Sequence, residues 1–210
     1  MRYNYIAIEG NIGAGKTCLS SMISEQYNGK LILEQFEDNS FLPKFYKEPD
    51  KYAFPLEMSF LAERYQQLKD QLTTQDLFKT FTISDYLFNK SLIFARNNLQ
   101  GDEFALFSRM FAIINEFLPK PELLVYLYLD VSNLQRNIRN RGRSYEQEIE
   151  DTYLENIQSG YFDHIRKLSG QRILVIDTNN IDFVNNNKDY EAILNLIDKD
   201  YSSGIHRFTL

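Results

Sequence analysis

Short apolar runs alternate with longer stretches of helical spacing along this chain. The short runs predict β-strands, since each is bounded by polar or turn-forming residues. The predicted strands cover residues 5–9, 31–33, 81–83, 123–130 and 173–177. The predicted helices cover residues 16–27, 55–73, 86–98, 103–117, 132–140, 149–167 and 187–199.

This alternation predicts an α/β fold, with a five-stranded parallel sheet covered by helices on both faces. Strands that are nearly continuous in apolar residues are typical of sheets buried on both sides. Because no linker, repeat or low-complexity segment interrupts the pattern, residues 1–210 are predicted to form a single domain. Ligands of such sheets bind beyond the carboxyl ends of the strands, so the residues after each strand are the candidates for chemistry.

A complete phosphate-binding loop follows the first strand. Its residues are Gly10, Asn11, Ile12, Gly13, Ala14, Gly15, Lys16 and Thr17, which match G-x-x-x-x-G-K-[ST] at every position. Backbone N–H groups of such a loop, and the start of the helix behind it, bind phosphate oxygens. We expect Lys16 to reach the β- and γ-phosphates of a bound triphosphate and the Thr17 hydroxyl to bind Mg²⁺.

An acidic residue, Glu34, lies at the end of the second strand. In this architecture it faces the phosphate-binding loop, where a carboxylate can accept a proton from an attacking hydroxyl or hold Mg²⁺ through water. Glu37 and Asp38 follow and are predicted to form a solvated acidic turn. Many aromatic residues lie between positions 41 and 57, where flat rings can stack on a nucleobase, although most aromatic clusters are core.

Arginine is concentrated in one segment of a chain that is acidic overall. Arg136, Arg139, Arg141 and Arg143 fall within eight residues, next to a glycine break. Guanidinium groups pair with phosphate oxygens in a bidentate way and neutralise charge on a phosphoryl group in transfer. We therefore predict an arginine-rich lid, about residues 139–149, that closes over the nucleotide.

Composition narrows the range of partners. A net charge of −6 argues against a general nucleic-acid coat, and no apolar run approaches the length of a membrane span. The single cysteine excludes an internal disulfide and fits a reducing cytoplasm. We therefore expect a cytoplasmic protein whose partners are small molecules, with neither a nucleic-acid polymer nor a membrane among them.

Together these segments resemble the deoxynucleoside kinase family. The resemblance rests on IEGNIGAGKT (8–17), EQFEDN (34–39), FYKEP (45–49), RNRGRSYE (139–146) and VIDTNNIDFV (175–184). They occur in the family's order over nearly the whole chain. Many families share the phosphate-binding loop alone, whereas the combination is specific.

The resemblance implies a P-loop kinase fold and a reaction of nucleotide salvage. The γ-phosphoryl group of ATP, bound with Mg²⁺, is transferred to the 5′-hydroxyl of a deoxynucleoside. By the resemblance, Glu34 is the general base that takes the proton of this hydroxyl, and Tyr46 and Glu146 bind the 3′-hydroxyl of the sugar.

For the donor, the resemblance implies catalytic arginines in the lid, acting with Lys16 on the phosphates, and a second loop beside the adenine. The lid arginines are Arg139, Arg141 and Arg143, and the residues of the adenine loop are Asn179, Asp182 and Phe183. The family also implies a homodimer assembled through helices.

One departure from the family follows the third strand. Where the family usually has Asp/Glu-Arg-Ser, this chain reads SDY at residues 84–86. If this chain is aligned with the family on IFA (93–95) without gaps, Asp85 falls at the position of the family's arginine. If the alignment is shifted by one residue, Asp85 falls at the position of the family's Asp or Glu. In either case this chain lacks the arginine. Three explanations are then open: another cation supports the 5′-oxygen and phosphate, turnover is weak, or the chain has another role. Asp85 remains a predicted substrate-binding residue near Mg²⁺.

A second departure is Glu57, which falls where the family usually has a glutamine that pairs with the base. A glutamine amide offers one donor and one acceptor, whereas an ionised carboxylate only accepts. Guanine presents two donors, N1–H and N2–H, which an ionised Glu57 can accept. Adenine N1 is itself an acceptor, so it would face a lone pair of the Glu57 carboxylate unless Glu57 is protonated. We therefore expect a purine acceptor, and Glu57 favours deoxyguanosine.

Other functions stay open at this point. A nucleoside monophosphate kinase needs extra cations for an acceptor phosphate, and the aromatic, acidic region around Tyr46 and Glu57 does not supply them. A regulatory GTPase needs an Asn-Lys-x-Asp signature, and Asn89-Lys90-Ser91-Leu92 has leucine at the fourth place. A non-catalytic nucleotide-binding or sensing protein is the third possibility, because of the missing arginine.

Overall fold

The computed structural model describes residues 1–35, 39–74 and 76–210. Within them a parallel sheet is flanked by helices. The strands are β1 (Tyr5–Gly10), β2 (Lys30–Ile32), β3 (Thr82–Ser84), β4 (Leu123–Tyr128), β5 (Arg172–Asp177) and β6 (Gly204–Thr209). The helices are α1 (Lys16–Gln26), α2 (Leu42–Lys47), α3 (Pro49–Thr73), α4 (Lys90–Asn98), α5 (Gly101–Asn115), α6 (Val131–Arg141), α7 (Asp151–Ile165) and α8 (Asn187–Ile197), with a 3₁₀ turn at Ser144–Glu146.

Strand β1 lies at the centre of the sheet, whose order is β2-β3-β1-β4-β5-β6. Every residue of β1 is buried, since its side chains alternate between two apolar clusters: Ile6 and Ile8 pack on one face and Ala7 on the other. The chain passes from β3 to β4 across β1, which makes the carboxyl end of β1 a topological switch point. Ligands of parallel α/β sheets bind at such points.

The predicted α/β class is confirmed, but the sheet has six strands rather than five. Strand β6 pairs in parallel with β5 at the edge of the sheet, from Arg172 opposite Gly204 to Asp177 opposite Thr209. Its side chains are all partly or fully exposed, and its sequence GIHRFT mixes polar and apolar residues. An edge strand needs no continuous apolar run, which is why the pattern that predicted the other strands missed this one.

The segment between β2 and β3 is more helical than predicted. Helix α2 occupies part of the aromatic segment, and α3 begins at Pro49, well before residue 55. Proline is well suited to the first turn of a helix, where its missing N–H costs nothing, and Pro49 takes that place. Pro55 lies inside α3. Helix α4, by contrast, begins only at Lys90 instead of residue 86, because residues 85–89 form a turn after β3.

Apolar packing covers both faces of the sheet and a third, helical layer. Helices α1, α6 and α8 contribute to the cluster on one face, and α7 contributes to the cluster on the other. A third cluster joins α3, α4 and α5, and within its core the rings of Phe88 and Phe111 stack with centroids 5.1 Å apart. Among the described helices, none combines the length and the apolar character that crossing a bilayer requires.

Two adjoining buried tyrosines differ in their hydrogen bonding, and this difference predicts opposite effects on stability. The ring centroids of Tyr126 and Tyr161 are 5.2 Å apart. The Tyr161 hydroxyl donates to Glu9 Oε2 over 2.8 Å, whereas the Tyr126 hydroxyl has no partner among the described residues. Since a buried polar group without a partner costs roughly 1–3 kcal/mol, we expect Tyr126→Phe to raise the free energy of unfolding by about 1 kcal/mol.

The matched control is Tyr161→Phe, which removes the same hydroxyl from a made hydrogen bond and leaves Glu9 with one donor fewer. It should lower the free energy of unfolding by about 1–3 kcal/mol in urea denaturation at neutral pH. Equal destabilisation by both substitutions would contradict the assignment of Tyr126 as an unsatisfied group.

Candidate active site

The phosphate-binding loop connects β1 to α1 at the switch point. Gly13 and Gly15 have φ angles of 84° and 86°, in the left-handed region that glycine enters without strain. A Cβ on Gly13 would lie 2.9 Å from the Leu134 carbonyl oxygen, and one on Gly15 would lie 2.8 Å from the Phe183 ring. Both positions therefore require glycine, for their backbone conformation and for their close neighbours.

Side chains hold this loop in shape. Asn137 on α6 donates its Nδ2 to the Gly13 carbonyl oxygen over 2.8 Å. Asn11, within the loop, donates its Nδ2 to the Leu154 carbonyl oxygen on α7 over 2.8 Å. The loop is thus fixed from two helices before any ligand binds, which lowers the entropy cost of binding.

Lys16 is the first residue of α1, and its Nζ donates to the Asn11 carbonyl oxygen over 2.8 Å. Burial, together with the nearby charge of Lys90, lowers the pKa of Lys16 to about 8, although neighbouring carboxylates oppose the shift. An anion brought into the loop would favour the charged form of the lysine. The local electrostatics therefore suit a phosphate group.

Glu34 lies just after β2 and is held by two buried cations. Its Oε1 accepts from Arg64, with Nε at 2.9 Å and Nη2 at 2.7 Å, and its Oε2 accepts from Lys90 Nζ at 2.5 Å. Burial raises the pKa of the Glu34 carboxyl, but Lys90 and Arg64 outweigh burial and lower this pKa to about 2. Glu34 is therefore a carboxylate throughout the physiological range of pH.

Arg64 and Lys90 are cations that the sequence analysis did not identify. Arg64 comes from the middle of α3, where its Nη1 also donates to Ser91 Oγ over 2.8 Å and its guanidinium lies 4.5 Å from the Phe60 ring centroid. Lys90 is the first residue of α4. The two bring positive charge to Glu34, and they are candidates for the cation that the sequence analysis required in place of the arginine missing from residues 84–86.

Asp85 connects the phosphate-binding loop to β2. Its Oδ2 accepts from the Thr17 hydroxyl at 2.5 Å, and its Oδ1 accepts from the Glu34 N–H at 2.7 Å. The hydroxyl and carboxylate oxygens of Thr17 and Asp85 are hard donors of the kind that Mg²⁺ prefers, so these two residues fit the predicted metal. The described residues contain no group of three or more His, Cys, Asp or Glu side chains placed to hold a metal. Mg²⁺ sites of this type use one or two protein ligands, with phosphates and water.

Glu57 on α3 is another acid in the wall of the cavity, and its surroundings differ from those of Glu34. Its Oε1 accepts from Asn98 Nδ2 over 2.7 Å, whereas its Oε2 has no partner among the described residues. Burial raises the pKa of Glu57 to about 7, and Arg64 and the Asn98 hydrogen bond oppose this shift only in part. A ligand that donates to Oε2 would satisfy a buried acceptor that is otherwise costly.

These groups line one cavity that opens to solvent. Its empty volume, including the part open to solvent, is about 780 Å³. The predicted site residues in its wall are Ile12, Gly13, Lys16, Thr17, Glu34, Tyr46, Glu57, Asp85, Arg141, Arg143 and Glu146. Arg64, Lys90, Asn98 and Tyr153 were not predicted and line the same cavity. The structure therefore brings together most of the residues that the sequence analysis selected.

The arginine-rich segment borders this cavity. Arg141 Nη2 pairs with Glu146 Oε2 at 2.5 Å, and Arg143 Nη1 pairs with Glu146 Oε1 at 3.4 Å. The Tyr145 ring stacks on the Tyr46 ring, with centroids 6.2 Å apart. The stacked rings attach the segment to α2, and one buried carboxylate, Glu146, holds two arginines.

Eight predicted residues are not in the cavity wall: four belong to the phosphate-binding loop (Gly10, Asn11, Ala14 and Gly15), and the other four lie on α6 and after β5. Arg139 lies on the exposed side of α6. Asn179 accepts from the Asp130 N–H at 2.9 Å, Asp182 is exposed, and Phe183 packs beneath Gly15. A donor adenine beside the loop after β5 stays a prediction, as does a role for Arg139 in the lid. The predicted acidic turn at residues 37 and 38 lies outside the described residues.

Of the cavity residues that the sequence analysis did not select, Arg64 could have been recognised from the sequence, whereas Lys90 and Tyr153 could not. Arg64 shares an apolar helical face with Leu61 and Leu68, and a charged residue on such a face indicates a buried partner. Lys90 gave no comparable signal, because residues 86–98 were predicted as one helix and a lysine on a helix is usually solvated. Tyr153 belongs to a helix that has the spacing of ordinary core packing.

Comparison with known proteins supports the resemblance to the deoxynucleoside kinase family that the sequence motifs indicated. The model of the deoxynucleoside kinase family matches residues 6–201. Deoxyguanosine kinase of Bacillus subtilis is 37% identical over 195 residues, covering 90% of this chain and 93% of that protein. Deoxyguanosine kinase of Lactobacillus acidophilus is 31% identical over 204 residues, covering 92% and 90%. The structure of deoxyadenosine kinase from M. mycoides with bound products has a TM-score of 0.80 at 24% identity, covering 92% of this chain and 98% of that one, which shows a shared fold.

The ion pairs of Glu34 predict a specific acid sensitivity. Since the pKa of Glu34 falls from 4.5 to about 2 on folding, its pairs contribute stability that is fully present above about pH 4.5 and is lost as the pH falls toward 2. The difference in free energy of unfolding between wild type and Glu34→Gln should therefore shrink by about 2 kcal/mol from about pH 6 to about pH 3.

Urea denaturation at a series of pH values measures this difference. Glu48→Gln is the control, because Glu48 forms only an exposed pair with Lys51 at 3.6 Å, and its effect should stay within about 0.5 kcal/mol at every pH. A wild type to Glu34→Gln difference that is independent of pH would contradict the ion-pair assignment.

Proposed function

The chain belongs to the deoxynucleoside kinase family, and we propose that its preferred acceptor is deoxyguanosine, phosphorylated at the 5′-hydroxyl by ATP. The observation that carries this choice is Glu57, which is 2% exposed, lines the cavity and has an unpartnered Oε2 among the described residues. The names of two relatives, both deoxyguanosine kinases, support the same choice.

Base recognition follows from the hydrogen-bonding capacity of Glu57. Ionised, it offers acceptors on both oxygens, and guanine presents N1–H and N2–H as adjacent donors. Asn98 Nδ2 already donates to Oε1, which fixes the orientation of the carboxylate while Oε2 remains available. Hydrogen bonds to a charged group contribute roughly 1.5–3 kcal/mol, so these two contacts are large enough to determine the choice of base.

The donor triphosphate is proposed to bind at the loop from Gly10 to Thr17. Its backbone N–H groups and the start of α1 bind the phosphate oxygens, and Lys16 exchanges its contact with the Asn11 carbonyl for the β- and γ-phosphates. Thr17 and Asp85 would hold Mg²⁺, which when bound neutralises charge on the β- and γ-phosphate oxygens. The side-chain contacts of Asn11 and Asn137 keep the loop in place during this exchange.

The acceptor hydroxyl is proposed to bind at Glu34. A carboxylate paired with Arg64 and Lys90 is a weak base, but in a loose phosphoryl-transfer transition state the main requirement is to position the hydroxyl. Glu34 accepts the hydrogen bond of the 5′-hydroxyl and takes its proton as the bond from this oxygen to the γ-phosphorus forms and the bond from the γ-phosphorus to the bridging oxygen of the leaving ADP breaks. Arg64 and Lys90 supply the positive charge next to the reacting oxygen that the absent arginine would otherwise provide.

The sugar and the lid are proposed to act through the same carboxylate. Tyr46 and Glu146 would bind the 3′-hydroxyl, as the family resemblance implies. Glu146 already holds Arg141 and Arg143, so binding of the sugar would loosen these arginines and let them turn toward the phosphates. Arg139 would join them from the exposed side of α6.

A homodimer is the proposed assembly, and α5 is its proposed contact surface. Three large apolar side chains are exposed at helical spacing, on α5 and two residues beyond its end. They are Leu106 (42% exposed), Ile113 (64%) and Phe117 (70%). Apolar side chains exposed along one helix face are typical of a protein–protein interface. We also propose a single domain, 1–210, and a cytoplasmic location, which the single cysteine supports.

A panel of acceptors tests the base preference. We expect the highest kcat/KM with deoxyguanosine at about pH 8, where Glu57 is mostly ionised. Deoxyinosine keeps N1–H and lacks the N2 donor, so its kcat/KM should be lower by about 10- to 100-fold. A coupled ADP-release assay with deoxyguanosine, deoxyinosine, deoxyadenosine and deoxycytidine gives these ratios.

Glu57→Gln is the matched variant for this panel. An amide has one donor and one acceptor, so it cannot accept both guanine donors in the same way. The ratio of deoxyguanosine to deoxyinosine should fall to near one. A ratio unchanged by Glu57→Gln would remove Glu57 from base recognition, and turnover of deoxyguanylate but of no nucleoside would refute the proposed acceptor.

The assembly has its own test. Ile113→Asp places a charge in the exposed face of α5 and should reduce the mass measured by light scattering about twofold, to that of a monomer. The control is Phe78→Asp, because Phe78 is 87% exposed in the loop before β3 and lies apart from α5. A monomeric wild type, or a dimer that withstands Ile113→Asp, would contradict this contact surface.

A further inference from the structure

The segment at residues 84–86 departs from the family pattern, and the proposed function uses only Asp85 of it. Its other two residues, Ser84 and Tyr86, are fully buried. Ser84 Oγ donates to the Tyr86 carbonyl oxygen at 2.7 Å within the turn after β3. The Tyr86 side chain extends from this turn to α3, where its hydroxyl donates to Gln67 Oε1 at 2.6 Å.

The Gln67 amide continues this contact to the end of β2. Its Nε2 donates to the Leu33 carbonyl oxygen at 2.8 Å. Because a carbonyl oxygen only accepts, the amide nitrogen must face Leu33 and the amide oxygen must face Tyr86. Burial raises the pKa of Tyr86, so its phenol keeps the proton that it donates. Tyr86 thereby holds the Gln67 amide in the orientation that Leu33 requires.

The peptide group between Leu33 and Glu34 is held at both of its polar atoms. Its C=O accepts from Gln67, and its N–H donates to Asp85 Oδ1 at 2.7 Å. Since a peptide group is planar, two such contacts restrain its plane and leave fewer directions open to the Glu34 side chain. Helix α3 contacts the far end of the same side chain through Arg64, one turn before Gln67.

We propose that Tyr86 and Gln67 are positioning residues for the reaction, which together with Asp85 hold the peptide that carries Glu34 and so align its carboxylate with the acceptor hydroxyl. The inference rests on the proposed function, since it requires that this hydroxyl bind at Glu34. Neither Gln67 nor Tyr86 is among the described residues that line the cavity, so both act through Glu34. The segment at residues 84–86 then serves the reaction without an arginine of its own.

The test is the rate of a single turnover, with enzyme in excess over acceptor and ATP saturating, so that product release does not mask the chemical step. The acceptor is the nucleoside that the wild type phosphorylates best. Gln67→Met removes the donor to Leu33 and keeps the length of the side chain. It should lower this rate about ten- to hundredfold, because a displacement of about 1 Å has an effect of this size.

Binding of the donor provides a second readout for Gln67→Met. The phosphate-binding loop is held by Asn11 and Asn137, from α7 and α6, and not by Gln67. The KM for ATP should therefore change by less than about twofold while the single-turnover rate falls. A general loosening of the structure would affect both quantities.

Gln66→Met is the matched control. Gln66 precedes Gln67 on α3, is exposed, and donates its Nε2 to Asp70 Oδ2 of the same helix at 2.8 Å. The same substitution at this position leaves the contacts of β2 in place. Its single-turnover rate should stay within about twofold of the wild type.

Tyr86→Phe tests the other member of the pair and removes a single oxygen. The Gln67 amide keeps its reach to Leu33 but loses the donor that orients it, so the rate should fall about two- to fivefold. In the double variant the rate should equal that of Gln67→Met alone, because Tyr86 acts through Gln67. Tyr86→Phe decides the question if Gln67→Met does not fold.

Urea denaturation of each variant gives its folded fraction, by which the rates are corrected. A role in stability alone would lower the free energy of unfolding and leave the corrected rate unchanged. That result for Gln67→Met and Tyr86→Phe, in an active wild type, overturns the positioning role and leaves the proposed function intact. Losses that multiply in the double variant also overturn it. A wild type that phosphorylates no nucleoside overturns the proposed function itself, and this inference with it.

Discussion

The buried pairing of Glu34 with Arg64 and Lys90 is the interaction on which the candidate site depends. It joins the end of β2 to the middle of α3 and the first turn of α4, three elements that are far apart in sequence. Removing one partner from such a group leaves an uncompensated buried charge, at a cost of about 3–5 kcal/mol. The pairing therefore holds the residue after β2 against the two helices, in the wall of the cavity.

The same two cations also account for the contrast between Glu34 and Glu57. Glu34 contacts both directly, which lowers its pKa to about 2, whereas Glu57 accepts from Asn98 instead and its pKa is raised to about 7. Burial raises the pKa of both carboxyls, so the direct contacts of Glu34 with positive charge account for the difference. The cavity therefore holds one carboxylate with fixed charge, Glu34, and one acid whose charge responds to its surroundings, Glu57.

The sequence predicted those parts of the fold that depend on local pattern. The buried strands and the phosphate-binding loop were recognised from apolar runs and from one motif. Strand β6 and helix α2 were missed, because an edge strand and a short aromatic helix carry no such run. In the site, Glu34, Glu57 and Asp85 followed from their places after strands or from family positions. Arg64 and Lys90 did not, since only the tertiary fold brings α3 and α4 against Glu34.

The pairing of Glu146 with Arg141 and Arg143 has a consequence for the competing reaction with water. On the proposed roles, both guanidinium groups are engaged by Glu146 until a sugar hydroxyl takes that carboxylate as its partner. When a triphosphate is bound without a nucleoside, Arg141 and Arg143 would not contact its phosphates. The transition state for attack by a water molecule would then be poorly stabilised. The lid would thereby couple consumption of the donor to the presence of the acceptor and suppress futile hydrolysis.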